Sequence, residues 1–96
     1  MNIFDQYLDK IKKILLDLSK ESLITLPESL DGINTEIPPE KFNCDLSTNL
    51  CLILGKNTNQ NPRILADKIK DILIDEINHF SSIEIAGPGF LNIKLS

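Results

Sequence analysis

The sequence has no tryptophan, a single histidine, two cysteines and only 5% aromatic residues, and its net charge is −4. Each shortage removes a class of function. His79 has no nucleophile patterned to partner it and the carboxylates are scattered over helix surfaces, so no catalytic constellation is present. Cys44 and Cys51 match neither a disulfide framework nor the paired spacing of a zinc site. Both read as reduced packing thiols, and neither metal nor cofactor is expected in this chain. Bulk electrostatic capture of nucleic acid is opposed by the charge of −4, because non-specific binding needs many Lys and Arg contacts to phosphate. Any nucleic-acid role has to rest on a local surface with a few base or stacking contacts. No apolar run approaches the ~20 residues that span a bilayer, and the amino terminus lacks a signal peptide's charged start and apolar middle. The expectation is a cytoplasmic protein with no membrane partner.

What is present is 96 residues with 42% hydrophobic content, rich in Leu and Ile. That is enough for one domain spanning the whole chain and one aliphatic core, without a deep catalytic cleft beside it. Ile3, Phe4, Tyr7, Leu8, Ile11, Ile14, Leu15 and Leu18 recur at helical spacing, opposite a charged face that includes Lys10, Lys12 and Lys13. Asn2 is placed to cap this helix, Asp5 sits in its first turn and Lys20 suits its end. From Ser22 to Leu30 the pattern lapses, and Pro27 forbids a helix interior. Asp31-Gly32 reads as a turn into a short strand carrying Ile33, Thr35 and Ile37, which ends at Pro38-Pro39. Residues 40–44 read as a loop. Asp45 or Ser47 is placed to cap a second helix with Leu46, Leu50, Ile53 and Leu54, which Gly55 ends.

Lys56 to Gln60 reads as a polar connector. Asn61-Pro62 is a strong helix start, since Asn supplies a cap oxygen and proline's missing N–H is harmless at the first helical position. The third helix is expected from Pro62 to about Phe80, burying Leu65, Ala66, Ile69, Ile72, Leu73, Ile77 and Phe80. Lys56 and Arg63 fall near the junction of the two helices, beside a partly positive N-terminus. They form the best local anion site in an acidic chain, although a solvated charged surface without a ligand is the commoner explanation for such residues.

The last segment reads as a hairpin: Ile83 to Ile85 alternates, Gly87-Pro88-Gly89 turns, and Phe90 to Leu95 alternates again. If Leu91, Ile93 and Leu95 face the core, Phe90, Asn92 and Lys94 share the opposite face. A ring, an amide and a cation on one strand face can stack on an unpaired base, read its edge and approach phosphate. Spacing alone favours the plainer alternative, in which Phe90 packs under a helix while Asn92 and Lys94 merely face solvent. The glycines of the turn join two strands, so they lack the helix N-terminus of a phosphate loop.

Asp45, Thr48-Asn49, Asn61-Pro62-Arg63 and the run Ile85-Ala86-Gly87-Pro88-Gly89-Phe90-Leu91-Asn92 together resemble the amino-terminal domain of arginyl-tRNA synthetases, in order and spacing, over the carboxyl-terminal half of the chain. Two departures stand beside Asp45, where the family usually has Gly before and often an aromatic after, and this chain has Cys44 and Leu46. The resemblance implies an α+β fold, a small antiparallel sheet packed against about three helices. It implies a domain that contacts the D-loop of the tRNA for arginine while binding neither arginine nor ATP. The catalytic domain of the same parent chain would be its second partner, an arginine-tRNA ligase that uses ATP with magnesium; that catalytic domain and the anticodon-binding domain are absent from these residues. The aromatic and amide that the family uses for the contact align with Phe90 and Asn92, which selects the base-reading face over the packing one. Lys94, Lys56 and Arg63 complete the expected tRNA-binding set, and no residue is assigned a catalytic or metal-binding role. The alternative is a free-standing protein–protein interaction module, which an apolar open sheet face would favour.

Overall fold

A computed structural model describes residues 3–22 and 24–96, the side chain of Phe42 excepted. The expected Asn2 cap therefore lies outside the described residues. Three α-helices, α1 (Ile3–Lys20), α2 (Leu50–Thr58) and α3 (Pro62–Glu76), pack on one face of a four-stranded sheet. The strands are β1 (Thr35–Glu36), β2 (Leu46–Thr48), β3 (Phe80–Ala86) and β4 (Phe90–Leu95), in the spatial order β1-β2-β4-β3 with every pair antiparallel. The fold is α+β, with β4 flanked on both sides.

The apolar stripes become the core. Tyr7, Ile11, Leu15 and Leu18 of α1 meet Leu65, Ala66, Ile69 and Leu73 of α3 and the core-facing strand residues Leu46, Leu91 and Ile93 in one buried cluster. Asn61 caps α3 as expected, its Oδ1 accepting from the amides of Arg63 at 2.9 Å and Ile64 at 3.3 Å. The helix stops at Glu76, earlier than its apolar stripe, because Ile77 turns to an extended conformation and Phe80 opens β3. Phe80 still reaches the core. A β-bulge between Phe80 and Ser82 inserts one extra residue, so that both Phe80 and Ile83 point inward where strict alternation would separate them.

Further expectations are corrected. Leu46 to Thr48 is a strand, so neither Asp45 nor Ser47 caps α2; Asn49 precedes the helix, and Thr48 Oγ1 accepts the amide of Leu50 at 3.3 Å. Gly55 lies inside α2, which runs on through the expected connector to Thr58 and ends at Asn59 in the left-handed region. Gly55 is required by space, since an added Cβ would meet the Gln60 carbonyl oxygen at 2.6 Å where the α2–α3 connection crosses it. The strand expected around Ile33 to Ile37 shrinks to two residues, with Ile33 buried before it and Ile37 74% exposed after it. A short 3-10 turn, Glu40–Phe42, interrupts the expected loop.

Both cysteines are free thiols, Cys51 fully buried. Burial raises the Cys51 thiol from 9.0 to about 12, so its protonated form is the one the fold favours. A group whose folded pKa is raised contributes stability that is complete below the unfolded value and lost as pH rises toward the folded one. Urea unfolding should therefore show wild type losing more stability than Cys51→Ala between pH 9 and 11. In native protein, Ellman's reagent should modify Cys44 and leave Cys51 untouched until unfolding.

Candidate nucleotide-binding site

The register of the sheet builds the site. Leu46, Ile93 and Ile83 form one row across β2, β4 and β3 on the helix-covered face, and Thr48, Leu91 and Ile85 form another. Between them runs a row of the opposite parity: Glu36 on β1, Ser47 on β2, Asn92 on β4 and Glu84 on β3. These side chains point away from the helices. Phe90 and Lys94 flank Asn92 along β4 with the same parity.

This face is partly roofed. The chain leaving β1 folds back through Pro38, which is buried, and Pro39, while the hairpin turn brings Gly87 and Pro88 to the other side. Between them opens a cavity of about 350 Å³ lined by Ala86 and Phe90 as well, with Glu36, Ser47 and Asn92 as its polar members. Ser47 is 5% and Asn92 2% exposed, so the face expected to be open is covered over its middle. The Asn92 Nδ2 is buried without a hydrogen-bond partner, alone in this among the described buried side chains. An unpaired buried amide costs about 1–3 kcal/mol, which an acceptor entering the cavity would recover.

The hairpin that carries Phe90 is held from behind. Arg63 Nη1 donates to the Gly87 carbonyl at 2.5 Å, and Gly89, at φ 144°, sits so close to α3 that a Cβ would meet Pro62 at 2.7 Å. Thus Phe90 and Asn92 are brought together in the cavity, and Arg63 braces its rim. Lys94 is exposed on the same face but outside the cavity, where with Glu84 and Asp45 it acts on Cys44; burial first, then Glu84, raises that thiol, and Lys94 opposes them. Lys56 is exposed in the last turn of α2 and lines no part of the cavity. The amides at the start of α3 are already occupied by Asn61, so an anion near Lys56 and Arg63 would rely on side-chain charge alone.

The sequence motif in residues 45–49 is structural. Asp45 Oδ2 accepts the Leu95 amide at 2.8 Å, closing the end of β4 instead of capping a helix. Asn49 Oδ1 accepts from the Asn34 amide at 2.8 Å while its Nδ2 donates to Gly32 O at 2.9 Å, stapling the β1 approach to the start of α2. Sequence reasoning missed Glu36, Ser47 and the proline wall. Only the pairing of β1 with β2, a contact between distant segments, reveals them.

A family model, the arginyl tRNA synthetase N terminal domain, matches residues 5–95. The chain belongs to this family. Arginine–tRNA ligases similar to it include one from Pelagibacter ubique, 45% identical over 94 residues that make up 98% of this chain and 16% of the relative. Another, from Bartonella henselae, is 38% identical over 96 residues, 100% of this chain and 16% of the relative. A third, from Rickettsia akari, is 39% identical over 95 residues, 99% of this chain and 16% of the relative. The chain thus spans about 16% of the length of these curated relatives. As an arginyl-tRNA synthetase N-terminal domain it places its Gly-Pro-Gly-Phe motif at the rim of the cavity. Among the described residues no three His, Cys, Asp or Glu side chains are grouped to hold a metal ion, and no helix is long and apolar enough to cross a membrane.

Asn49 and Asn92 should respond oppositely to truncation. Asn49→Ala, which breaks two hydrogen bonds, should lower unfolding free energy by about 1–3 kcal/mol, whereas Asn92→Ala removes an unpaired donor and should stay within about 1 kcal/mol of wild type in the same denaturant titration.

Proposed function

We propose that this domain recognises an unpaired nucleotide in the D-loop of the tRNA for arginine, and so positions that tRNA for ATP-dependent arginylation by a catalytic domain of the same parent ligase. The single observation that carries the reading is the partnerless Asn92 amide beside the half-buried Phe90 ring, within a cavity of about 350 Å³. The ring and the prolines opposite offer flat apolar surfaces for a base, and the amide offers a donor for its edge. Lys94, on the same sheet face, and Arg63, at the rim, are placed for phosphate contacts flanking a bound nucleotide, whereas Lys56 on α2 lies away from the cavity and would meet only a more distant part of the tRNA backbone. Such a domain contributes discrimination and orientation and performs no chemistry itself. The magnesium and ATP of the parent reaction belong, on this reading, to other parts of the ligase.

The family membership and the arginine–tRNA ligase relatives support tRNA as the partner. A protein–protein module is the lesser reading, since the sheet face carries the polar row Glu36, Ser47, Asn92 and Glu84 where an apolar surface would be needed.

Titration of the domain with tRNA for arginine should give weakening on the order of 10- to 100-fold for Phe90→Ala, with Asn92→Ala also weaker and both variants folded by circular dichroism. Lys94→Ala should lower affinity modestly for every tRNA tested and flatten its salt dependence. Unchanged binding by Phe90→Ala and Asn92→Ala would remove the cavity from the contact.

A further inference from the structure

We infer that Glu36, acting from the edge strand, is a specificity-determining residue that accepts a hydrogen bond from the ribose hydroxyl of the nucleotide held at Phe90 and Asn92. The inference rests on the nucleotide-reading proposal and extends it from the base to the sugar. The row Glu36, Ser47, Asn92 crosses three neighbouring strands in direct register, and all three side chains line the one cavity. Neighbouring strands stand ~4.8 Å apart, so the backbone positions of Glu36 and Asn92 are separated by about 10 Å. That span exceeds the edge of a single base. A base seated against Phe90 with its edge on Asn92 and Ser47 leaves its sugar toward β1.

The chemistry at that end suits a sugar and opposes a phosphate. Glu36 is a carboxylate with acceptor oxygens only, it repels phosphate, and among the described residues it has no ion-pair or hydrogen-bond partner of its own side chain. A carboxylate facing a ribose is a recurring solution for holding its 2′-hydroxyl, and that hydroxyl is what separates RNA from DNA at a given site. Ser47, 5% exposed and without a side-chain hydrogen bond among the described residues, supplies a small group between the two that donates or accepts. Glu36 itself is exposed on a two-residue edge strand, so its replacement leaves the core untouched.

The test uses this chain with a set of tRNAs for arginine, each carrying one 2′-deoxy nucleotide in the D-loop. One deoxy position should weaken wild-type binding about tenfold, Glu36→Ala should weaken binding to all-ribose tRNA by a similar factor, and the two losses should not add. Glu36→Gln, which keeps an acceptor oxygen, should recover part of the loss. Additive losses, or no sensitive deoxy position while Phe90→Ala and Asn92→Ala still weaken binding, would overturn the role of Glu36 and leave the base-reading site standing. Tighter binding by Glu36→Ala would show a merely repulsive carboxylate and also overturn it. Indifference to Phe90→Ala and Asn92→Ala would overturn both proposals together.

Discussion

The structure depends on the pairing of β4 with strands on both sides. Its backbone is bonded to β2 and to β3, so its alternation is imposed on the whole sheet: Leu91 and Ile93 are driven under the helices, and Asn92 is driven to the opposite face. A slip of one residue would bury Asn92 among Ile and Leu side chains and expose two of the best-buried residues. Several devices defend the register. Asp45 bonds the Leu95 amide at one end of β4, and the Gly87-Pro88-Gly89 turn is clamped to α3 through Arg63 and Pro62 at the other.

The cavity is a by-product of that arrangement. A four-stranded sheet with helices on one side leaves the other side to water unless the chain itself returns across it. Here the prolines after β1 make that return, and they cover Ser47 and Asn92 without offering the amide a partner. Proline rings carry no polar atom, so a wall of them contributes shape and apolar surface and no side-chain acceptor for the Asn92 Nδ2. The amide is thereby kept ready for an acceptor from outside.

Local patterns made much of this legible. The stripes of α1 and α3, the Asn61-Pro62 helix start and the hairpin around Gly87 to Gly89 each follow from spacing within a short stretch. The facing of Phe90, Asn92 and Lys94 followed from one assumption about which of Leu91 and its neighbours were inside. What eluded the sequence were features made by contacts between distant segments. Strand β2 is three residues long, too short for a period to show, and Asp45 and Ser47 look like helix caps although Asp45 bonds the Leu95 amide and Ser47 lies within the strand. Gly55 looked like a stop because glycine ends helices often, while its actual cause is the Gln60 carbonyl lying where a methyl would go. The burial of Asn92 depends on prolines more than fifty positions earlier, which no local rule detects.

The edges of the sheet carry a further consequence. Exposed strand edges invite pairing with a second molecule, and β1 presents only Thr35 and Glu36 before Pro38 and Pro39 end its capacity to bond. The other edge, β3, is broken by its bulge near Ser81 and carries the charge of Glu84. The residues that shape the cavity therefore also protect the protein against fibril-like stacking, so that a substitution made to enlarge the cavity by removing those prolines would extend a sticky edge at the same time.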